Sequence, residues 1–218
     1  MTKPDLVIFD CDGVLVDTEH AANLLLSQLI RDEGLDLSYE ECRRRFVGKA
    51  MQTVQAEVSA LLGRQLPSDW YLMVKQRSIE VLAEGTEAIT GVEAQIMAIR
   101  EAHIPFCVAS SGQIEKMHAT LGSAKLLPLL KDLLFSADMV ALGKPAPDLF
   151  LHAAREMGHA PEVCVVIEDS LPGVQAGVAA GMKVFGYAGD PMTDREALAA
   201  AGAQVFDDMR DLSGLIGI

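Results

Sequence analysis

Short apolar runs alternate with amphipathic segments along most of this chain. Five runs predict buried β-strands, at residues 6–9, 106–110, 163–170, 182–190 and 203–209. Strands that are apolar throughout are typical of sheets covered on both faces. Between them, spacings of three and four predict helices at residues 91–103, 148–158 and 172–181. Alternating strands and helices indicate an α/β fold with a doubly wound parallel sheet.

One long segment interrupts this alternation. Residues 19–84 carry helical patterns and no convincing strand. Four helices are expected, and glycines follow three of them, as they often follow helix C-termini. We therefore predict a catalytic core made of residues 1–17 and 86–218, and an inserted helical cap domain at residues 18–85. Hinges between the two are expected near residues 17–19 and 84–88.

Composition and charge narrow the possible partners. Half of the 218 residues are hydrophobic, and 31 acidic residues outnumber 18 basic ones, for a net charge of −13. Such a field repels phosphate backbones and anionic membranes, so we expect no nucleic-acid or membrane partner. No apolar run has the ~20 residues that cross a bilayer, and the first residues do not resemble a signal peptide. We expect a cytoplasmic, monomeric protein whose four cysteines are buried reduced thiols.

Polar side chains follow four of the predicted strands. Because parallel strands end at a common edge, where α/β proteins bind ligands, these side chains should lie together. They are Asp10 and Asp12, Ser110 and Ser111, Glu168 and Asp169, and Asp190.

The sharpest motif is D-C-D-G, which contains Asp10, Asp12 and Gly13. Two carboxylates so close repel each other unless a cation lies between them or one of them is protonated. The glycine permits a tight turn or a close backbone approach. Taken alone, the motif could also be an acidic turn that merely ends a strand.

Three further motifs are weak when each is taken alone. The segment Ser110, Ser111 and Gly112 could bind phosphate at a helix N-terminus, or it could be ordinary helix capping. Lys144, between a glycine and a proline, could be a site residue or a surface lysine. Glu168 and Asp169 are hard oxygen ligands that suit Mg²⁺.

In this order and spacing, the four motifs resemble the haloacid dehalogenase superfamily over nearly the whole chain. The resemblance implies a Rossmann-like core and the small helical cap of phosphoglycolate phosphatase-like and β-phosphoglucomutase-like members. It implies that Asp10 is the nucleophile and a Mg²⁺ ligand. Asp12 would be the general acid and base, with its backbone carbonyl on the metal, and Lys144 would neutralise the phosphoryl oxygens.

The remaining roles follow from the same resemblance. Ser110, Ser111 and Gly112 correspond to the phosphate-binding segment. Asp169 corresponds to a metal ligand, and Glu168 to either a ligand or a partner of one. For Asp12, the role requires a proton to be present on its carboxyl when the substrate binds.

The resemblance also separates the candidate reactions. Dehalogenases of the superfamily lack the second aspartate, so Asp12 favours phosphoryl transfer. The mutases carry a histidine and an arginine where this chain has Ala22 and Met51, which favours a hydrolase. We therefore expect a Mg²⁺-dependent phosphatase for a small sugar, sugar-acid or polyol phosphate, with Lys49 touching the leaving group. A phosphosugar mutase and a non-catalytic binding module remain as alternatives.

Overall fold

The computed structural model describes residues 3–46, 49 and 51–218. Within them lie eight strands: β1 (Leu6–Phe9), β2 (Val16–Asp17), β3 (Glu87–Ala88), β4 (Phe106–Ser110), β5 (Leu134–Ser136), β6 (Cys164–Glu168), β7 (Lys183–Tyr187) and β8 (Gln204–Phe206). The α-helices of the same residues are α1 (Thr18–Asp32), α2 (Tyr39–Phe46), α3 (Met51–Leu62), α4 (Trp70–Gly85), α5 (Val92–Glu101), α6 (Ile114–Ser123), α7 (Leu127–Leu130), α8 (Asp148–Glu156), α9 (Leu171–Ala179), α10 (Arg195–Ala200) and α11 (Leu212–Ile216).

Six strands form one sheet in the order β5-β4-β1-β6-β7-β8, and every neighbouring pair is parallel. The first strand is central, with Val7 paired to Phe106 on one side and to Val165 on the other. This arrangement confirms the doubly wound parallel α/β fold. It also places the residues after β1, β4 and β6 next to one another.

The central strand is buried on both faces because its alternate side chains enter two different apolar clusters. Val7 and Phe9 belong to one cluster, and Leu6 and Ile8 belong to the other. All four are fully buried. A strand in this position must be apolar throughout, which is the pattern that predicted it.

The sheet has one strand that the sequence pattern did not predict. Edge strand β5 is three residues long and pairs with β4, with Ser110 opposite Ser136. Three residues are too few to establish a period. The last predicted strand is also shorter than expected, since β8 spans Gln204–Phe206 within the run 203–209.

The inserted segment contains the four helices that the sequence predicts, α1 to α4. Their apolar side chains form a separate cluster that includes Ile30, Phe46, Val58 and Trp70. Where the chain leaves and re-enters the sheet region, β2 and β3 pair antiparallel. The division at residues 18 and 85 and its hinges stay predictions.

Two smaller expectations concern thiols and membranes. All four cysteines are free and buried, as predicted. Among the described residues, no helix combines the length and the apolar character that crossing a bilayer requires.

Candidate active site

Asp10 lies directly after the central strand, at the carboxyl edge of the sheet. Its backbone N–H donates to the carbonyl of Ile167 in β6, at 2.9 Å, which continues the strand pairing by one residue. The chain then turns, and the amides of Leu15 and Val16 donate to the carbonyl of Cys11 at 2.9 and 3.1 Å. Asp10 is 7% exposed, so the turn holds a carboxylate almost out of solvent.

Gly13 is required in this turn for two reasons. Its φ is +83°, a conformation that side chains disfavour. A Cβ at this position would also lie 2.0 Å from Oδ2 of Asp169. The glycine therefore lets the loop after β1 come into direct contact with the carboxylate that follows β6.

Lys144 is the buried cation of the site. Its side chain is 4% exposed, and its ammonium donates to Asp10 Oδ1, to the carbonyl of Ala109 at 3.0 Å and to Glu168 Oε1 at 2.9 Å. These three acceptors use all three ammonium protons. The peptide bond between Lys144 and Pro145 is cis. The contacts with Asp10 and Glu168 place Lys144, which the resemblance predicts to be a site residue, inside the site and not on the surface.

Glu168 is fully buried at the end of β6, and both of its carboxylate oxygens are engaged. Oε1 accepts from Lys144, while Oε2 accepts from the backbone N–H and the hydroxyl of Ser170, at 2.7 and 2.9 Å. A Cβ on Gly173 would meet Oε1 at 1.6 Å, so that glycine makes room for the carboxylate. Glu168 was expected to be a metal ligand or a partner of one; its described contacts are instead with Lys144 and Ser170.

Burial and mutual repulsion act on the carboxylates of the site. Burial raises the pKa of Asp10, an effect that nearby Glu168 and Asp12 reinforce and that Lys144 opposes. Burial also raises the pKa of Asp169, to which Glu168 and Asp10 contribute. One ammonium thus faces three carboxylates that repel one another.

This excess of buried negative charge fits a divalent cation. Asp169 forms no salt bridge with any described residue, and Oδ1 of Asp12 is buried without a hydrogen-bond partner. The described residues do not bring three or more His, Cys, Asp or Glu side chains together as a metal-binding group. Mg²⁺ needs no such group, because it takes one or two carboxylates and completes its shell with carbonyl, water and substrate oxygens.

The segment after β4 is organised around Ser110, which is 1% exposed. Its hydroxyl accepts from the N–H of Gly112 at 3.0 Å, so its own proton is free to be donated. The carbonyl of Gly112 accepts from Ser136 at 2.9 Å. Because the backbone groups of Gly112 are used inside the loop, Ser110 and the exposed Ser111 are the better-placed phosphate contacts.

Asp12 has a partner that sequence reasoning missed. Lys116, in the first turn of α6, places its ammonium 2.7 Å from Oδ2 of Asp12. The segment S-S-G predicts a helix start, but nothing in the local pattern says that the third helical residue turns back toward Asp12.

Lys49 does not reach the carboxylates of the site. It pairs with Glu57 at 2.6 Å, and its side chain is 39% exposed. It lines a cavity of about 620 Å³ between the inserted helices and α6, and Lys116 lines the same cavity. The neighbouring Gly48, from which the resemblance to the mutases counts three residues to Met51, lies outside the described residues.

One of three consecutive arginines corrects a simple interpretation of the sequence. Such a run is expected to be a solvated helix face, and Arg44 and Arg45 are exposed. Arg43, however, has a side chain 16% exposed that pairs with Asp190 at 2.5 Å and lies over Tyr39. It therefore ties the inserted helices to the loop after β7, beside a second cavity of about 460 Å³ that Asp169 also lines.

Comparisons with known proteins agree with this geometry. A family model described as haloacid dehalogenase-like hydrolase matches residues 4–181. The chain is 34% identical to the 6-phosphogluconate phosphatase of Escherichia coli over 192 residues, which cover 88% of this chain and 86% of the relative. It is 32% identical to hexitol phosphatase A of the same organism over 179 residues, or 82% and 80% of the two chains.

A solved structure extends the likeness to the fold. It is a HAD family hydrolase from Deinococcus radiodurans, with bound phosphate and sodium, and its TM-score is 0.88 at 32% identity. The match covers 99% of this chain and 96% of that one. From its family match and these relatives, the chain belongs to the haloacid dehalogenase-like hydrolases.

Proposed function

We propose that this chain is a Mg²⁺-dependent phosphatase that hydrolyses a small phosphorylated metabolite through an aspartyl-phosphate on Asp10. The observation that carries the proposal is the ion pair between Asp10 and Lys144 at the carboxyl end of the central strand, with Asp12 two residues away. The substrate is a sugar, sugar-acid or polyol phosphate. Relatives named as 6-phosphogluconate and hexitol phosphatases support that range.

The first half of the reaction forms a bond between an Asp10 carboxylate oxygen and phosphorus. The bond from phosphorus to the leaving-group oxygen breaks, and Asp12 gives that oxygen a proton. Lys144 offsets the repulsion between a carboxylate nucleophile and a phosphate dianion. The hydroxyl of Ser110 and the amide of Ser111 hold the remaining phosphoryl oxygens.

The second half returns the enzyme to its starting state. Asp12, now deprotonated, takes a proton from a water molecule as that water attacks phosphorus. The bond from phosphorus to Asp10 breaks, and inorganic phosphate leaves. Dividing one displacement into two in this way is the usual advantage of a covalent intermediate.

Three groups would hold the metal: the side chains of Asp10 and Asp169 and the backbone carbonyl of Asp12. When bound, Mg²⁺ would neutralise the carboxylates and the phosphoryl oxygens and so lower the repulsion between them. Glu168 would act one step away by holding Lys144 in place.

Residues of the larger cavity favour hydrolysis over mutase chemistry. Ala22 and Met51 both line it, and these are the positions at which the mutases carry histidine and arginine. A methyl group and a thioether cannot supply the proton transfers or the charge of those residues.

The inserted helices act as a lid in this proposal. They carry Lys49 over the larger cavity, and the paired strands β2 and β3 connect them to the sheet region. Closing such a lid on substrate excludes bulk water before attack.

The test measures phosphate release from sugar, sugar-acid, polyol and glycolate phosphates, with Mg²⁺ and with chelator. Asp10→Asn removes the nucleophile, and Asp132→Asn, at an exposed position, is the matched control. We expect metal-dependent release that Asp10→Asn abolishes and Asp132→Asn leaves intact. If folded, Mg²⁺-bound protein releases no phosphate but converts a sugar 1-phosphate to its 6-phosphate isomer, the mutase alternative is correct.

A further inference from the structure

The smaller cavity, of about 460 Å³, adjoins the metal side of the proposed site. Gly13 and Asp169 line it, so a carboxylate proposed to hold Mg²⁺ borders this space. The described lining of the larger cavity contains neither Asp10 nor Asp169, and instead contains Lys116, the partner of Asp12. The two cavities therefore meet the site at different groups. One adjoins a metal ligand, and the other adjoins the residue proposed to protonate the leaving group.

The lining of the smaller cavity is strongly acidic. Five acidic side chains from four separate segments of the chain line it: Asp17, Glu19, Glu87, Asp169 and Asp190. Arg43 pairs with Asp190 at 2.5 Å, and the other four form no salt bridge with any residue that the structure describes. His20 is the remaining basic side chain of the described lining, and even its protonated form would leave an excess of negative charge.

The phenol of Tyr187, which also lines the cavity, responds to this negative charge. Burial raises the pKa of Tyr187, and four carboxylates raise it further: Asp208, Asp17, Asp169 and Asp190. Carboxylates from distant parts of the chain thus act on one phenol, so their fields add within the cavity.

The chemistry of Mg²⁺ gives such a cavity a use. Mg²⁺ dehydrates reluctantly, so an ion that approaches Asp10 and Asp169 keeps its waters until the ligands replace them. A hydrated ion needs room beside its future ligands, and this cavity provides room next to Asp169. Negative charge around that space raises the local concentration of cations and with it the association rate.

We propose that the smaller cavity is the entry route of the metal ion, and that Asp17, Glu19 and Glu87 attract the hydrated ion toward Asp169. The larger cavity is then left to the leaving group, so metal and substrate reach the site from different sides. The proposal rests on the metal-dependent phosphatase function proposed above and deepens it.

The experiment measures how fast Mg²⁺ binds in the absence of substrate. Stopped-flow mixing of loaded protein with the fluorescent Mg²⁺ indicator mag-fura-2 gives the release rate, and calorimetry gives Kd. The release rate divided by Kd is the association rate constant. Glu87→Gln removes one charge at an exposed position that lines the smaller cavity and not the larger one. Glu101→Gln is the matched control, because Glu101 is exposed at the end of α5, before β4 begins, and so lies at the opposite edge of the sheet.

Two bulky substitutions distinguish the two routes. Thr90→Trp adds a large side chain to the lining of the smaller cavity, and Ser78→Trp adds one to the lining of the larger cavity. Far-UV circular dichroism checks that both variants are folded.

The expected size of the effect follows from electrostatic steering. A cleft lined by one sign of charge raises association rates about 10- to 1000-fold, which over four side chains is about 2- to 6-fold for each. We expect Glu87→Gln to lower the association rate about 2- to 6-fold at low salt, with little change in release. The difference should shrink as salt is added, because salt screens exposed charges. Thr90→Trp should also slow binding, whereas Ser78→Trp and Glu101→Gln should not.

Other outcomes separate this inference from the proposed function. If Glu87→Gln binds Mg²⁺ as fast as wild type at low salt, the acidic lining does not steer the ion. If Ser78→Trp slows binding and Thr90→Trp does not, the ion enters through the larger cavity. Either result overturns the inference and leaves the phosphatase function standing. If calorimetry detects no Mg²⁺ binding to wild type, both proposals fall.

Discussion

Replacing Asp10 by Asn is expected to stabilise the metal-free protein at pH 7 even though it removes the nucleophile. Burial is the largest of the effects that raise the pKa of Asp10 from 3.8 to about 7. At about 1.36 kcal/mol per pH unit, that rise corresponds to about 4 kcal/mol of unfolding free energy. Asparagine keeps an acceptor oxygen for Lys144, and the loss of the ionic attraction is already contained in the net rise of the pKa, which includes the opposing effect of Lys144. The expected gain is therefore of the order of that whole shift, about 4 kcal/mol.

The sign of the pH dependence follows from proton binding. With its raised pKa, folded Asp10 keeps a proton to higher pH than the unfolded chain does. The unfolding free energy therefore falls as pH rises from about 4 to about 7. Well below pH 4 the carboxyl is protonated in both states, so wild type and Asp10→Asn should differ little there. The gain from the substitution should grow with pH and level off above about 7.

Urea unfolding followed by far-UV circular dichroism, in chelator at several pH values, measures this difference. Asp132→Asn, which changes an exposed carboxyl, should track wild type. Adding Mg²⁺ should stabilise wild type more than Asp10→Asn, because a ligand that binds the folded state stabilises it by mass action. If Asp10→Asn is no more stable than wild type at pH 7 in chelator, burial does not dominate this site.

Three further changes test other parts of the site. Gly13→Ala places a Cβ 2.0 Å from Asp169 Oδ2 at a φ of +83° and so displaces that carboxylate. Calorimetry should show Mg²⁺ binding weakened roughly tenfold or more, and an unchanged affinity would contradict a role of Asp169 in holding the metal. A double-mutant cycle of Arg43→Met and Asp190→Asn should give a coupling of about 1 kcal/mol in thermal unfolding, and a coupling of zero would mean that this pair does not hold the lid. Glu168→Gln should lower kcat roughly 10- to 100-fold with little change in KM, because it removes the charge that positions the ammonium of Lys144. A rise in KM as large as the fall in kcat would indicate that Glu168 contacts the substrate instead.

The sequence was enough to predict what depends on local pattern. Apolar runs followed at once by acids or serines placed Asp10, Ser110 and Glu168 at one sheet edge, because parallel strands of a single sheet end together. For Lys144, the order of the motifs and the family resemblance predicted the site position that its glycine and proline neighbours left open. None of these inferences required knowing which side chains touch.

What the sequence missed depends on contacts between distant segments. The pairing of Lys116 with Asp12 joins residues 104 apart, and that of Arg43 with Asp190 joins residues 147 apart. No periodicity encodes such pairs. Tyr39 lies one helical turn before Arg43, and its ring packs under the guanidinium of that arginine. This spacing was the one local feature that distinguished Arg43 from its two neighbouring arginines.

The site combines buried carboxylates with lysines, and these local cations explain how a chain of net charge −13 could process an anion. Asp10 and Glu168 share the buried ammonium of Lys144, and the buried carboxyl of Asp169 adds negative charge that a divalent cation would neutralise. Lys116 pairs with Asp12 and also lines the larger cavity. In the proposed reaction, a phosphate ester has its phosphoryl group beside Lys144 and its leaving group toward the larger cavity. Lys144 and Lys116 therefore supply positive charge next to the reacting groups, which the overall composition does not reveal.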